Sequence, residues 1–586
     1  MPTLQFKGKN IIWNHHLAIP YHTLDEIKEL DFSVPKSKQN DNLLIEGDNL
    51  TALKALLPNY TNKIDCIYID PPYNTGNDNG QGKGWIYNDN VNSPLLKEWF
   101  GKEVGLEDLT RHDKWCCMMA PRLKLLRELL NEEGAIFISI DDNEVYNLRS
   151  LVTEIFGEEN FIALLPTIMN LKGNQDEFAF AGTHEYTLVF AKNKAKSIFY
   201  EFEIDDEDLD DWEEDNFGFY KKGATMKGSG VNAPREKRPN LFYPLLFKEG
   251  ETTVATITDE EFKKIYDKQS KIFDDGFVKK LKIKYEKLGY IFLLPVSNDA
   301  YVSWRWQRDK VLAEPHNIIA FIEEGTVSLN KKQRPSLGEL PSKKPKTIFY
   351  KPEYSSGNGT NQLKELFTDK VFNNPKPLEL IKDFLTIGAN KNSIILDSFA
   401  GSGTTAHAVL DLNKEDTGNR KFILVQMPEN TETEPEKNIC KNITRERIKK
   451  AIEKYDYKSG FKYLRVGIPL DAESMLDGKL PTYKQFAKYV YYLCTGENLV
   501  DTKAINEKNY FVGKSGSAII YLVYKQNYEQ LTRLALNLTL AEQIKKAYPK
   551  KKVIVYAPAC FLDEEYLEEN QIQFVSIPYN LFQRNN

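Results

Sequence analysis

The sequence predicts an α/β protein built on a largely parallel sheet with helices on both faces. Two blocks of the chain, about 41–195 and 371–465, alternate short apolar strands rich in β-branched residues with longer amphipathic segments. Runs such as "KIDCIYID" and "SIILDSF" lack the polar alternation of a half-exposed strand, which is typical of strands buried on both faces. A chain of 586 residues has room for three or four domains, so the two blocks can share one sheet while other segments fold separately.

In chain order, the first block begins with a strand and alternates regularly. Its strands are predicted at 42–48, 63–70, 134–141 and 184–193, and its helices at 49–60, 116–133 and 143–157. The second block has a helix at 378–385, a strand at 393–399, a helix that starts from a glycine turn near 401, and a strand at 421–427. The end of the chain is predicted to alternate strand, helix, strand, helix and strand, at 517–525, 527–548, 551–559, 561–570 and 572–579.

The stretch between the two blocks has a different character. It carries an acidic run at 205–215, mixed polar segments and a basic, proline-containing stretch. Because structureless segments longer than about 15 residues are uncommon inside domains, we expect a separately folded recognition domain here. The predicted division of the chain is an N-terminal segment at 1–40, the first block at 41–195, the recognition domain at 196–370, the second block at 371–465 and a small C-terminal α/β domain at 466–586.

Composition excludes several classes of protein. The six cysteines form no CxxC pair and the seven histidines no HxH or HExxH motif, so neither a metal site nor a disulfide framework is expected. Apolar runs are far shorter than the roughly 20 residues of a membrane helix, and the N-terminus lacks a signal pattern, so we expect a cytoplasmic protein. The formal net charge of −6 gives no global argument for nucleic-acid binding, and local charge has to decide.

The sharpest chemical feature is the tetrapeptide Asp70-Pro71-Pro72-Tyr73, which directly follows a predicted buried strand. Open α/β sheets bind their ligands at the carboxyl ends of their strands. The amino group of a nucleobase is a poor nucleophile, and a carboxylate on Asp70 and a rigidly held carbonyl on Pro71 would accept both of its hydrogens. Tyr73 offers an aromatic face for stacking a base that has left the duplex, a role that requires the ring and not the hydroxyl.

A second motif, "ILDSFAGSGTTA", runs from a strand through a glycine turn into a helix. Gly401, Gly403 and Ala406 fit the GxGxxG/A pattern, which a nicotinamide dehydrogenase also shows. No lysine follows these glycines, and Gly513-Lys514-Ser515 lacks the leading glycine and runs into a strand, so ATP hydrolysis is not expected. Gln426 and Glu429 end the next strand, where an acceptor for a cofactor ribose is expected.

Taken together, these motifs resemble the amino-group DNA methyltransferases of the β arrangement, and most closely the modification (Mod) subunit of type III restriction-modification systems. The resemblance covers about 40–195 and 350–465 and rests on "EGDNLTALKALLPNY", "IDCIYIDPPYNTGNDN", "HDKWCCMMAPRLKLLRELL", "GAIFISIDDNE", "SSGNGTNQLKELF", "VFNNPKPLELI", "DSFAGSGTTAHAVLDLN" and "RKFILVQMPE". It makes 41–195 the catalytic part and 371–465 the cofactor part of a methyltransferase domain. It implies a Rossmann-like, circularly permuted S-adenosylmethionine-dependent methyltransferase sheet with an inserted target recognition domain.

The resemblance also implies roles for particular residues. Asp70 to Tyr73 match the catalytic tetrapeptide, whose aspartate form goes with adenine N6, while the cytosine-N4 enzymes usually have serine there. Cofactor binding is implied for Asp48 near the cofactor adenine, for Lys376 and Pro377 near its methionine end, and for Asp397, Phe399, Gly401 and Gly403 in the glycine turn. The ribose acceptor stays open between Gln426 and Glu429. A bulky side chain at Gly403 is expected to occupy the space where the backbone approaches the cofactor.

The expected function is therefore site-specific methylation of adenine N6 in double-stranded DNA with S-adenosylmethionine as cofactor, after the target base is flipped. The expected partners are a second copy of the chain and a restriction (helicase-nuclease) subunit on another chain. The alternatives are a stand-alone adenine-N6 or cytosine-N4 enzyme and, from other classes, a dehydrogenase, which leaves Asp70 to Tyr73 unexplained, or a DNA-binding regulator, which leaves the two-motif arrangement unexplained.

DNA contacts are expected in the inserted domain. The stretch around Trp304 and Arg305 interleaves aromatic and basic residues that stack on bases or grip phosphates, although such a pattern is as often domain core. Lys343, Lys344 and Lys346 lie in a basic, proline-containing stretch that is either simply solvated or contacts phosphates. The C-terminal domain is expected to be a platform for dimer or partner contacts, or else a cap that stabilises the catalytic domain.

Overall fold

The chain folds into two compact units, residues 1–200 with 345–586, and residues 201–344. The larger unit thus takes in the C-terminal residues and both predicted parts of the methyltransferase domain, and the smaller one lies within the predicted recognition segment. The computed structural model describes 3–34, 41–75, 110–170, 172–173, 179–204, 212–251, 253–323, 326–335, 341–429, 436–516 and 518–577, with the paired short strands Trp85–Ile86 and Glu103–Val104.

A nine-stranded sheet forms the centre of the larger unit. In chain order its strands are β1 His22–Glu26, β2 Asn42–Glu46, β3 Ile64–Ile69, β4 Leu130–Ile140, β5 Phe161–Ile168, β6 His184–Ala191, β7 Ile394–Asp397, β8 Lys421–Gln426 and β9 Phe461–Pro469. Across the sheet they lie in the order β1-β9-β2-β8-β7-β3-β4-β6-β5. The predicted α/β class is therefore confirmed, and both blocks contribute strands to one sheet, with the second-block strands β8 and β7 lying between β2 and β3 of the first block.

The order in which the chain adds strands to the sheet reverses between the neighbouring parallel strands β7 and β3. β7 pairs in parallel with β3 on one side and with β8 on the other, and β3 pairs in parallel with β4. From β7 the chain continues to β8, whereas from β3 it continues to β4 on the opposite side. Such a point leaves a crevice at the carboxyl ends of the two strands, because the following connections diverge to opposite faces.

Helices cover both faces of this sheet. In the larger unit, ahead of the C-terminal part, they are α1 Lys9–Ile12, α2 His15–Ala18, α3 Asn49–Tyr60, α4 Arg111–Leu129, α5 Val145–Phe156, α6 Ser356–Phe367, α7 Leu378–Gly388, α8 Thr404–Glu415 and α9 Arg445–Tyr455. A π-helical turn, Cys440–Thr444, leads directly into α9. π-turns occur frequently at functional sites, and this one packs beside the glycine turn.

The C-terminal part adds a second, four-stranded sheet to the larger unit. Its strands are Phe511–Ser515, Ala518–Leu522, Lys552–Ala557 and Ile572–Ser576, and its helices are Ala472–Leu476, Tyr483–Thr495, Tyr528–Leu531, Leu538–Ala547 and Glu564–Glu569. The single helix predicted at 527–548 is wrong, because the segment forms two helices. Asn537 caps the second one by accepting a hydrogen bond from the backbone of Leu540, at 3.0 Å.

The smaller unit has its own hydrophobic cores and several antiparallel sheets. One is a four-stranded sheet of Trp212–Asp215, Gly218–Thr225, Thr326–Gln333 and Ile318–Glu323, and another joins Ala255–Thr256, Leu245–Phe247 and Ile291–Leu293. Its helices are Asp259–Ile265, Asp275–Lys287 and Arg308–Ala313. Of the acidic run at 205–215, residues 205–211 lie outside the described residues.

Candidate active site

The two sequence motifs meet at the carboxyl edge of the sheet. Asp70 directly follows β3, Asp397 ends β7, and the parallel pairing aligns Leu396 with Ile67. Asp397 is buried and accepts hydrogen bonds from the Phe399 amide at 2.9 Å and the Thr405 hydroxyl at 2.5 Å. Burial raises the pKa of the Asp397 carboxyl to about 7, in spite of these hydrogen bonds. This carboxyl thus braces both sides of the glycine turn.

The Pro-Pro turn is anchored on its outer side. The Trp115 indole donates a hydrogen bond to the Pro72 carbonyl at 2.6 Å, and the buried Asn74 side chain donates to Glu144 at 2.5 Å. Asn74 also has a left-handed backbone with φ of 61°. The Pro71 carbonyl accepts no hydrogen bond from the described residues. The turn is therefore fixed through its neighbours, and none of the described residues donates a hydrogen bond to the carbonyl that is predicted to face the target amine.

Four side chains, two of them from the tetrapeptide, form a cluster at this edge of the sheet. The Lys376 ammonium lies 2.6 Å from Glu185 Oε2, 2.5 Å from the Tyr73 hydroxyl and 3.4 Å from Asp70 Oδ1. The Tyr73 hydroxyl in turn donates to Glu185 Oε2 at 3.0 Å. Asp70 Oδ1 is buried and accepts no hydrogen bond among the described residues, because the 3.4 Å contact lacks hydrogen-bond geometry. We call Asp70, Tyr73, Glu185 and Lys376 the charge cluster.

The glycine turn depends on backbone conformations that favour glycine. Gly401 and Gly403 have φ angles of 51° and 85°, and Gly403 is the N-cap residue of α8. A Cβ on Gly403 would lie 3.1 Å from Thr444 Cγ2, and one on Gly401 would lie 3.3 Å from the Phe372 ring. The space around Gly403 is therefore limited by Thr444, in the π-turn ahead of α9. This protein contact is a cause additional to the close approach of a cofactor that the sequence suggested.

The helix α9 and its preceding π-turn hold this glycine turn. The Thr444 hydroxyl donates to the Gly401 carbonyl at 2.6 Å, and Arg447 Nη1 donates to the hydroxyls of Ser402 and Thr404 at 2.8 and 2.6 Å. Arg447 is fully buried, and its Nε and Nη2 make no hydrogen bond with the described residues. Burial lowers the pKa of its guanidinium to about 10. A buried cation that has no carboxylate partner among the described residues is costly. Its hydrogen bonds to Ser402 and Thr404 indicate that Arg447 orders the glycine turn.

Asp48 lies at the end of β2, where it caps α3. Its Oδ1 accepts from the Thr51 amide at 3.1 Å, and its Oδ2 lies 3.3 Å from the Arg122 guanidinium. Arg122 also donates to Asn49 Oδ1 at 2.5 Å, and the Asn49 amide donates to the Ser398 carbonyl at 3.2 Å. These contacts connect β2 to the glycine turn, so Asp48 lies at the same edge of the sheet as Asp397.

The two candidates for the ribose acceptor have different surroundings. Gln426 is buried, its Oε1 accepts from the Gly401 amide at 2.7 Å, and its Nε2 donates to the Met427 carbonyl and to Glu429 Oε1, both at 3.1 Å. Glu429 has a left-handed backbone with φ of 58°, and burial raises the pKa of its carboxyl. Gln426 therefore supports the glycine turn, which leaves Glu429 as the better candidate.

The remaining cofactor candidates lie around the same turn. Phe399 is half-buried against the main core, Pro377 is the N-cap residue of α7, and the Lys376 carbonyl accepts a hydrogen bond from the Thr404 hydroxyl at 3.3 Å. The Lys376 backbone thus contacts the cofactor turn, while its ammonium lies in the charge cluster. The structure brings the predicted catalytic and cofactor residues together at one edge of the sheet.

The predicted DNA contact of Trp304 is wrong. The side chain is only 1% exposed, lies in a core of the smaller unit and donates its indole hydrogen to the Tyr243 carbonyl at 2.7 Å. A ring enclosed in this way has no face for a base. Arg305 is exposed, with its guanidinium 3.0 Å from the Lys227 carbonyl and 3.0 Å from the Ser229 hydroxyl. Lys343 and Lys344 are exposed in the smaller unit, and Lys346 is exposed in the larger one.

Several residues around the site carried no motif in the sequence. Glu185, Thr444 and Arg447 each reach the site from an element distant along the chain. Arg122 lies in the matched segment "HDKWCCMMAPRLKLLRELL", but the sequence assigned it no role. The only signal for Glu185 was its place in "HEYTLVF", a charged residue at the start of an otherwise apolar strand. Because β6 is antiparallel to β4, its first residues lie at the carboxyl edge of the sheet. Knowledge of that pairing is needed to place Glu185 in the site.

Two further observations on the described residues concern metal sites and membrane-spanning helices. Among the described residues, no group of three His, Cys, Asp or Glu side chains is arranged to hold a metal ion. None of the helices in that part of the chain combines the length and the apolar character needed to cross a membrane.

The chain is similar to known DNA methyltransferases. The N6/N4 DNA methylase family model matches residues 64–434. The type III EcoPI Mod subunit of Escherichia phage P1 is 43% identical over 407 residues, covering 67% of this chain and 58% of that protein. The type II methyltransferase M.KpnI of Klebsiella pneumoniae is 32% identical over 69% of this chain and 84% of its own length. The type III EcoP15I Mod subunit of Escherichia coli is 31% identical over 73% and 65%.

The chain spans less than two thirds of the length of the two type III subunits. The family match covers both motifs and the whole segment between them. The chain therefore belongs to the family of N6/N4 DNA methylases.

Proposed function

We propose that this chain is a site-specific DNA methyltransferase that uses S-adenosylmethionine to methylate adenine N6 in double-stranded DNA after the base is flipped. The observation that carries the proposal is the position of the Asp70 carboxylate and the Pro71 carbonyl next to each other beside the glycine turn, at the point where the strand order of the sheet reverses. The aspartate in the tetrapeptide favours adenine over cytosine, because the related cytosine-N4 enzymes usually have serine there.

The residues at the glycine turn fit S-adenosylmethionine. Gly401 and Gly403 hold left-handed conformations in the turn into α8, at the carboxyl edge of a parallel sheet, where α/β folds bind nucleotide cofactors. Asp48 and Glu429 offer carboxylates for the adenosine part of the cofactor, and Phe399 offers an aromatic face. When bound, S-adenosylmethionine supplies the methyl group on a sulfonium that is a good leaving group.

The catalytic residues act on the target amine and require no covalent intermediate. Asp70 and Pro71 accept the two amino hydrogens, which turns the nitrogen lone pair away from the ring system and toward the methyl donor. Methyl transfer leaves a positive charge on the nitrogen, and the Asp70 carboxylate is placed to stabilise that charge and to take up the proton that is released. Tyr73 presents a ring for stacking the flipped base.

The experiment that tests this function is single-molecule sequencing of DNA from cells that express the wild-type chain or Asp70→Ala. Methylated adenine at one sequence motif is expected with the wild type and none with Asp70→Ala. Asp501→Ala, in an exposed turn of the C-terminal part, is the matched control and should methylate normally. Methylated cytosine or an unmodified genome with the wild type would contradict the proposal.

We further propose that the chain is the modification and recognition subunit of a type III restriction-modification system and forms a homodimer. The relatives named as Mod subunits support this assignment. Arg305, Lys343, Lys344 and Lys346 are proposed as DNA contacts, because they are exposed basic residues of the segment predicted to recognise DNA. Light scattering tests the dimer, and co-purification with a co-expressed restriction subunit tests the partner. A monomer that retains no such subunit would contradict this part.

A further inference from the structure

The charge cluster contains a lysine and a glutamate that the methylation chemistry described above does not use. Lys376 has an exposed side-chain fraction of only 10%, and it contacts Glu185 more closely than Asp70, at 2.6 Å against 3.4 Å. Its ammonium also lies 4.8 Å from the centre of the Tyr73 ring. Glu185 and the Tyr73 hydroxyl thus hold the lysine beside Asp70, where it adds positive charge, while its shortest hydrogen bonds go to Glu185 and Tyr73.

Every charged or titratable group near Asp70 in the described residues can be named. Lys376 lies ahead of α7, Glu185 starts β6, Tyr73 lies in the same turn, Tyr68 is on β3 and Asp397 ends β7. Burial raises the pKa of the two tyrosines well above the usual value, so both are neutral near pH 7. Asp397 has a pKa of about 7 and is present in every variant, so its effect on Asp70 is common to all of them. The charges that the variants change are the ammonium of Lys376 and the carboxylate of Glu185, which have the largest charge effects on Asp70.

We propose that Lys376 and Glu185 are positioning residues for methyl transfer: Lys376 keeps the Asp70 carboxylate ionised and oriented toward the target amine, and Glu185 anchors Lys376. This inference rests on the proposed function and adds two residues to it. Asp70 accepts an amino hydrogen only when it is ionised. Its Oδ1 stays available for that purpose because the lysine donates its close hydrogen bonds to Glu185 and to Tyr73 instead.

The direction of each electrostatic effect follows from the charges. Burial raises the pKa of the Asp70 carboxyl, Lys376 opposes that change, and Glu185 adds to it. Lys376 itself has a raised pKa, because the two carboxylates outweigh the effect of burial. If methyl transfer requires ionised Asp70, the rate falls as the pH drops through the pKa of that group. Removal of Glu185's charge should lower this pKa, and removal of Lys376's charge should raise it.

The test is the pH dependence of single-turnover methyl transfer by purified full-length chains on duplex DNA that contains the site found by sequencing. For Glu185→Gln we expect the acidic limb to move to lower pH by about half a unit, and for Lys376→Met to higher pH by about one unit. Lys376→Met should also slow the plateau rate by about tenfold or more, while Lys376→Arg, which retains the charge, should keep the limb close to that of the wild type.

Matched controls come from an exposed ion pair of the same unit, Glu132 and Lys196, whose charged atoms are 3.2 Å apart. Glu132→Gln and Lys196→Met should leave the limb unchanged. Calorimetric titration with S-adenosylmethionine and a thermal melt accompany each variant, and the cofactor affinity of Glu185→Gln, Glu132→Gln and Lys196→Met should stay within about threefold of the wild type. The Lys376 variants are assayed at saturating cofactor, because Lys376 is also a candidate for cofactor binding. A general loss of packing would shift neither acidic limb. Movement of the acidic limbs of Glu185→Gln and Lys376→Met in opposite directions would therefore identify an electrostatic role.

Unshifted limbs in folded, cofactor-binding variants would overturn the inference while leaving the proposed function intact. Limbs that move in the same direction would also overturn it. If Lys376→Met fails to fold, the downward shift in Glu185→Gln decides the matter alone. A wild type that binds cofactor but never methylates DNA would instead overturn the proposed function, and this inference with it.

Discussion

At the scale of single residues, the structure gives Tyr73 a second role. The sequence assigned it only a ring for stacking, yet its hydroxyl accepts a hydrogen bond from Lys376 and donates one to Glu185. Hydrogen bonds to charged groups contribute about 1.5–3 kcal/mol each, and a buried charge that loses one is left partly unsatisfied. The hydroxyl therefore matters in addition to the ring.

We accordingly predict that Tyr73→Phe lowers the methyl-transfer rate by about tenfold, since a hydrogen bond to a charged group of about 1.5 kcal/mol is lost. Tyr73→Ala should lose considerably more, because the ring is lost as well, at about 1–3 kcal/mol per stacked base. Single-turnover kinetics of both variants measure the difference. A Tyr73→Phe enzyme as fast as the wild type would show that the hydroxyl is dispensable and that the ring alone acts.

Arg447 offers a prediction in which stability and function separate. Its guanidinium is fully buried and forms no ion pair with a carboxylate of the described residues, so its replacement by an apolar residue of similar length should leave thermal stability unchanged or slightly higher. The hydroxyls of Ser402 and Thr404 would lose their donor, and the glycine turn would be less ordered. For Arg447→Met we expect the Kd for S-adenosylmethionine to rise about tenfold, measured by calorimetry beside a thermal melt.

The exposed Lys441→Met, in the π-turn that precedes α9, is the control and should change neither quantity. A marked drop in the melting temperature of Arg447→Met with normal cofactor affinity would mean that the arginine supports only the packing of α9.

At the scale of elements, the sequence predicted the strands that are buried and continuous, and missed those whose pattern is mixed. β2, β3, β7 and β8 fall within two residues of their predicted bounds, because their apolar runs are flanked by polar turns. β1, β5 and β9 were not predicted: Pro166 interrupts β5, and Lys462, Arg465 and Gly467 interrupt the apolar pattern of β9. Likewise, Asp70 and Gly403 were found through local motifs, whereas Glu185 and Arg447 depend on contacts between distant elements.

The junction between the glycine turn and α9 gives a prediction of its own. Gly403 has a φ of 85°, and an added Cβ would lie 3.1 Å from Thr444 Cγ2 and 3.3 Å from its carbonyl oxygen. A side chain there costs about 1–3 kcal/mol in backbone strain, before the contact with Thr444 is counted. We predict that Gly403→Ala lowers the free energy of unfolding by about 2 kcal/mol or more and weakens cofactor binding through the displaced turn.

Gly478→Ala, at a left-handed glycine with no atom near its Cβ position, isolates the backbone term. Chemical denaturation of both variants should show a larger loss for Gly403→Ala. Equal losses would mean that the contact with Thr444 relaxes freely, and unchanged cofactor affinity in Gly403→Ala would separate the turn from the cofactor site.

At the scale of the whole molecule, the C-terminal part is joined to the catalytic part by a shared hydrophobic core. Phe486, Tyr489 and Val490 on the helix Tyr483–Thr495 are buried in the same core as Leu56 of α3. The ring of Tyr489 lies 4.7 Å from that of Tyr21, near the N-terminus. This continuity supports the alternative that the C-terminal part caps the catalytic domain, although it leaves room for partner contacts on its outer surfaces.

Polar contacts reinforce this junction. The Lys488 ammonium donates to Asn59 Oδ1 at 2.9 Å, and the Asn498 amide donates to the Leu57 carbonyl at the end of α3, at 2.8 Å. α3 is the helix that begins at Asp48, so its far end is held by the C-terminal part while its first turn faces the cofactor edge. A disturbance of the cap is therefore expected to reach the cofactor site through one helix.

We predict that a chain ending at residue 470 is insoluble or unfolded. Burial of three large apolar side chains such as Phe486, Tyr489 and Val490 contributes roughly 5–9 kcal/mol, which is comparable to the whole stability of a typical domain. Solubility, a thermal melt and cofactor titration of the truncated chain measure the effect. Residues 471–586 co-expressed as a separate chain should restore solubility and co-purify with it, because the apolar surfaces then cover each other again. A truncated chain that melts cooperatively and binds cofactor with normal affinity would show that the catalytic sheet is complete without the cap, and would return the C-terminal part to the role of a partner platform.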